Sequence, residues 1–139
     1  MSPGRPYVKD GLTAVTPFLL VPDISAAVAF YVRVFGAVEV RRDPDPTGVA
    51  QHAVLRIDEA PIELGRHAVT ARSDLDVLPS LGVHLFVPDV DAVHERALAA
   101  GAAARPPTDM PYGDREAAIV DPFGITWWVA TNQSRTTRS

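Results

Sequence analysis

A short motif occurs twice in this chain, each time at the same place in a larger pattern. Val21-Pro22-Asp23-Ile24 returns 66 residues later as Val87-Pro88-Asp89-Val90, and Gly36-Ala37 returns 65 residues later as Gly101-Ala102. Two motifs that keep their register over such a span read as a duplicated unit. Each copy holds an apolar strand, a Val-Pro-Asp turn, an amphipathic helix and a Gly-Ala stop. The 139 residues must therefore be shared between two similar modules.

The local chemistry agrees with that division. Pro17 to Val21 and Val83 to Val87 are short β-prone runs, each halted by a proline. Asp23 and Asp89 stand where a carboxylate accepts N–H groups of a first helical turn. Ile24, Ala27, Val28, Tyr31, Val32 and Phe35 then recur at three- and four-residue spacing, as do Val90, Val93, Ala97 and Leu98. Gly36 and Gly101 supply left-handed stops. Strands are expected at Val38–Arg42, Gln51–Ile57 and Pro61–Gly65, then as a short piece near Ala103, at Glu116–Asp121 and at Ile125–Thr131. Asp121-Pro122-Phe123-Gly124 is a tight turn between the last two. Each half reads βαβββ, which makes the fold class α+β. The first module spans 12–65, a linker 66–80 and the second module 81–131, with flexible termini at 1–11 and 132–139.

Composition excludes several kinds of function. The chain has no cysteine, which removes disulfides, zinc–thiolate sites and thiol nucleophiles. Thirteen basic and 17 acidic side chains give a net charge of −4, against a nucleic-acid partner. No run of apolar residues is long enough for a membrane helix, and the start does not resemble a signal peptide, so a cytoplasmic location is expected. The single lysine, Lys9, argues against a Schiff base. Nucleophile-elbow, phosphate-loop and dinucleotide signatures are missing.

The segments VPDISAAVAFYVRVFGA, LFVPDVDAVHERALAAGA and PYGDREAAIVDPFGITWWVAT resemble the glyoxalase/bleomycin-resistance (vicinal oxygen chelate) group, and most closely its PhnB-like branch. The resemblance runs from about Thr13 to Thr131. It implies two modules whose curled mixed sheets surround a concave cavity. It also implies four cavity positions that hold His or Glu in metal-using members. Here those positions carry Thr16, Glu63, Gly82 and Trp128. Only Glu63 suits a metal, whereas catalytic sites normally have three protein ligands. No cofactor is expected on this reading.

Strand alternation places Thr16, Phe18 and Leu20, then His52, Val54 and Arg56, on cavity faces. Gly82, His84 and Phe86 follow by the same rule, as do Thr126, Trp128 and Ala130. Such a wall is apolar with few polar groups, as small-molecule sites are. The ligand-binding candidates are Phe18, His52, Arg56, Glu63, His84, Phe86, Trp128 and, in the Tyr112-Gly113-Asp114-Arg115 loop, Tyr112. A structural reading stands beside each: aromatics filling space, Glu63 paired with Arg56, histidines held by carbonyls, and the loop held by an Asp–Arg contact. His67 and His94 read as surface residues.

Three functions fit. The first is sequestration of an aromatic or partly apolar small molecule, such as an antibiotic, by stacking in a metal-free cavity. The second is a divalent-metal lyase, isomerase or dioxygenase with a displaced site of His52, Glu63 and His84. The third is a metal-free enzyme with Glu63 as base, or an interaction module. A homodimer is expected, since sheet edges and concave faces need cover.

Overall fold

The structure is a computed structural model of the chain and describes residues 7–67 and 81–133. Most of the expected linker and the outermost terminal residues lie outside that description. The chain divides into two compact units, 1–69 and 70–139.

In the first unit the elements are β1 (Phe18–Val21), α1 (Ile24–Phe35), β2 (Val38–Pro44), β3 (Ala50–Ile57) and β4 (Ala60–Arg66). The second has β5 (Val83–Phe86), α2 (Val90–Ala99), β6 (Ala103–Asp109), β7 (Asp114–Val120) and β8 (Thr126–Asn132). The sheet orders, β1-β4-β3-β2 and β5-β8-β7-β6, are the same arrangement twice. In each, the first and last strands of the unit pair in parallel and the other pairs are antiparallel. The α+β, tandem βαβββ organisation expected from the repeat is present.

Both helices begin as the sequence indicates. Asp23 accepts from the Ala26 N–H at 3.0 Å, and Asp89 from that of Ala92 at 3.1 Å. Gly36 at φ 70° closes α1, and Gly101 at φ 95° follows α2. The apolar stripes differ from expectation at their edges. Val32 is 43% exposed and Leu98 49%, while Phe30 and Val34 are buried. In α1 the reason is a ring cluster: Tyr31 stacks on Phe35 with centroids 6.0 Å apart, and Phe30 meets both edge-on.

The piece near Ala103 is a full strand of seven residues. Its middle holds Pro106 and Pro107, which lack N–H donors, and the pairing of β6 with β7 shifts register there, between Arg105 and Thr108. That shift hides the strand from pattern reading. The turn before β8 is anchored from inside. Asp121 is fully buried; its Oδ1 accepts from the Phe123 and Ile125 N–H groups, both at 2.9 Å, and its Oδ2 from Trp127 Nε1 at 3.0 Å.

Candidate functional site

In the first unit, Leu19, Val21, Leu55 and Leu64 are buried with α1, and the alternate positions form the open face of the sheet. Phe18 pairs with Glu63, Glu63 with Val54, and His52 with Gly65, so these residues share that face. Gly65 makes room for an aromatic ring: a Cβ there would stand 2.6 Å from Phe18 Cζ. Phe18 nevertheless remains 54% exposed, with its centroid 6.5 Å from that of His52.

Across this face runs a line of charge. His52 Nε2 lies 3.0 Å from Glu63 Oε1, and His52 Nδ1 lies 3.1 Å from Asp43 Oδ2. Arg41 Nε donates to the same Asp43 oxygen at 3.2 Å, while Arg41 Nη2 is buried without a hydrogen-bond partner. Both His52 contacts can be hydrogen bonds only if each ring nitrogen carries a hydrogen or one carboxyl does. Glu63 is thus fixed through one oxygen. It also borders a cavity of about 310 Å³ whose other walls are Tyr7, Val8, Lys9, Leu12, Thr13, Ala14 and Thr16.

Asp43 and Arg41 escape pattern reading because of one irregularity. Plain alternation from Val38 would put Val40 and Arg42 on the open face. A register shift between Glu39 and Arg41 instead sets Arg41 opposite Val54 and Asp43 opposite His52. Arg42 turns to Glu39 (2.6 and 2.9 Å) and to Ser25 on α1. Arg56 is exposed and its Nε donates to the Asp58 carbonyl at 3.0 Å, so the pairing of Glu63 with Arg56 is replaced by pairing with His52.

His52 first, and Arg41 to a smaller extent, hold the Asp43 carboxyl below its ordinary 3.8, against desolvation. A depressed carboxylate contributes stability that is complete above its unfolded value and is lost as pH falls through the folded one. Asp43→Asn is therefore expected to lower the urea midpoint at pH 6, with the gap closing as pH drops below about 4. A gap that stays constant down to pH 2.5 would show that Asp43 has no such role.

In the second unit, Ala117, Ile119, Trp127 and Val129 are buried, and the open face carries the alternate set. His84 pairs with Trp128, Phe86 with Ala130, and Ala130 with Glu116. A Cβ at Gly82 would stand 2.1 Å from Trp128 Cζ3, so the indole lies over the glycine. His84 and Phe86 rings stack at an angle, with centroids 4.5 Å apart, and Phe86 is 57% exposed. His84 Nε2 is 3.8 Å from Glu116 Oε1, and Asp114 completes a group whose ligand atoms all lie within 4.8 Å of one another. The Tyr112 hydroxyl is 3.5 Å from Glu116 Oε1. Desolvation, and then the charges of Glu116 and Asp114, push the phenol's pKa up. The 112–115 loop is held by Asp–Arg contacts, made by Arg115 with acids outside the loop. Arg115 grips Asp91 on α2 at 2.8 and 3.0 Å and Asp109 at 3.2 Å, leaving Asp114 to the His84 group.

Of the four positions that the family resemblance marks for metal ligands, Glu63 alone carries a carboxylate or imidazole. In the first unit Thr16 turns its hydroxyl to the Thr13 carbonyl at 2.7 Å, and Glu63 is held by His52. In the second, Gly82 offers no side chain and the Trp128 ring fills its place. Of the wider candidate set, His52 and Glu63 meet in one unit, while His84 meets Asp114 and Glu116 in the other. His67 is exposed, and His94 is half-buried on α2.

These features define a duplicated βαβββ protein with aromatic residues on the open face of each sheet, and its class follows from comparison. Residues 12–129 match the Glyoxalase/Bleomycin resistance protein/Dioxygenase superfamily, and the chain belongs to it. An uncharacterized protein of Mycobacterium tuberculosis strain H37Rv is 42% identical over 140 residues, covering 89% of this chain and 81% of the relative. Among solved structures, TioX from Micromonospora sp. ML1 is 28% identical, with TM-score 0.68, over 86% of this chain and 98% of that one. A bleomycin-binding protein complexed with bleomycin is 22% identical, with TM-score 0.62, over 86% and 98%. The fosfomycin resistance protein FosX from Listeria monocytogenes, complexed with Mn(II) and sulfate, is 18% identical, with TM-score 0.67, over 86% and 91%. The last two share the fold.

Proposed function

We propose that this protein binds and sequesters a planar, partly aromatic small molecule, without a metal at the four family positions. The observation that carries this reading is Phe18: an aromatic ring more than half exposed, seated over Gly65 and next to a carboxylate fixed by His52. Exposing a phenyl ring to water is unfavourable by its apolar area, and a flat ligand would recover that area along with a stacking increment of about 0.5–1.5 kcal/mol. The free oxygen of Glu63 would accept from a ligand N–H or O–H group, giving orientation. The open face of the second unit carries its own aromatic surface, with Phe86 and Trp128. That a bleomycin-binding protein shares the fold is consistent with such a role. The reading extends to a cytoplasmic protein and a two-fold dimer.

The test is calorimetric titration with a panel of planar aromatic compounds that includes bleomycin. Saturable binding by at least one compound is expected, and Phe18→Ala should weaken it about tenfold, the equivalent of roughly 1.4 kcal/mol. Absence of saturable binding across the panel, or an unchanged affinity in Phe18→Ala, would overturn the proposal. Light scattering on the same sample should give twice 14.9 kDa, and a mass near 14.9 kDa removes the dimer.

A further inference from the structure

On the open face of the second sheet, side chains from two strands that are not neighbours reach over the strand between them. His84 comes from β5 and Asp114 and Glu116 from β7, with β8 between. They can meet because the β8 residue at the crossing is Ala130, which pairs with Glu116 on one side and Phe86 on the other. Its methyl group is fully buried although it belongs to the open face. A larger residue at 130 would hold the two flanks apart.

The group is chemically unfinished. The Glu116 side chain is only 15% exposed, yet its contacts with His84 at 3.8 Å and with the Tyr112 hydroxyl at 3.5 Å are both at or beyond the limit of a hydrogen bond. Asp114 adds a second carboxylate. Arg115, the adjacent cation, is committed to Asp91 and Asp109, and among the described residues no lysine or arginine pairs with Asp114 or Glu116. Two carboxylates this close repel when both are charged, and a cation between them relieves that repulsion.

From this arrangement we propose that His84, Asp114 and Glu116 form a binding site for a divalent transition-metal ion, separate from the four family positions. One imidazole and two carboxylates suit Zn²⁺, Mn²⁺ or Co²⁺, with the remaining coordination open to water or ligand oxygen. Metal–ligand bonds of about 2.0–2.2 Å require donors roughly 3–3.5 Å apart, so donors within 4.8 Å must close by about an ångström. The stacking of His84 on Phe86 fixes the imidazole plane, as outer contacts do in metal sites. The three proposed ligands are distinct from Phe18, Gly65, His52 and Glu63, on which the ligand-binding reading above rests, while Phe86 is shared between the two.

The probe is Zn²⁺ alone, titrated calorimetrically into untagged, chelator-stripped protein. One equivalent is expected to bind with a Kd in the micromolar range and to raise the melting temperature. His84→Ala and Glu116→Gln should each weaken binding about tenfold or more, with Asp114→Asn as a third variant should either fold poorly, while Glu63→Gln and His52→Ala leave it unchanged. Lack of saturable binding up to about 1 mM Zn²⁺, or binding that survives both His84→Ala and Glu116→Gln, would overturn the proposal.

Discussion

Asp121→Ala is expected to cost about 3–4 kcal/mol of stability, enough to lower the melting temperature by ten degrees or more for a domain of this size. The residue is fully buried and accepts three hydrogen bonds, two from the backbone of its own turn and one from the indole of Trp127. Hydrogen bonds to a charged acceptor contribute about 1.5–3 kcal/mol each, and the loss leaves two buried donors and one part-buried donor without that acceptor. Asn at 121 keeps an oxygen for the turn and should recover part of the loss. A Trp127→Phe variant separates the two functions of the carboxylate: in a double-mutant cycle the Asp121 and Trp127 effects should be coupled by at least about 1 kcal/mol. Additive effects, or a loss below about 1 kcal/mol for Asp121→Ala in urea denaturation, would show that the anchor is not holding the turn.

The second large effect comes from a contrast between two aromatic residues. Tyr31 is fully buried between Phe30 and Phe35, so Tyr31→Ala should cost about 3–5 kcal/mol as a core truncation. Phe18→Ala removes a ring that is 54% exposed and should cost about 1 kcal/mol or less. Denaturation midpoints of the two variants test this directly. Comparable losses would mean that Phe18 packs as core in the folded protein, and the open face would then be structural rather than a ligand surface. A large loss for Tyr31 alone leaves Phe18 free to serve a ligand.

Much of the fold was legible in the residues themselves, because its determinants are local. Asp23 and Asp89 cap whatever helix follows them, Gly36 and Gly101 end it, and alternation assigns Leu19 to the core and Phe18 to the open side. The same rule separates Trp127 from Trp128. Repetition of the pattern after 66 residues then fixes two modules. Asp114 and Glu116 were also within reach, since Ala117 and Ile119 mark the buried side of their strand, but the expected strand began only at Glu116.

Other features depended on which strands lie side by side. His52 is 11 residues from Glu63 and nine from Asp43 in the chain, and only antiparallel pairing of β3 with both neighbours brings the three together. The bulge after Glu39 then decides that Arg41 and Asp43, rather than Val40 and Arg42, share their face. A one-residue slip reverses every side chain beyond it, and nothing in the local sequence announces that slip. The meeting of His84 with Glu116 has the same origin: it needs β8 inserted between β5 and β7, and an alanine where they cross. Capping, turn and alternation act between residues near in sequence, so the chain alone determined them. Register acts between residues brought together only by the sheet, so the site's charge pattern was decided by tertiary structure.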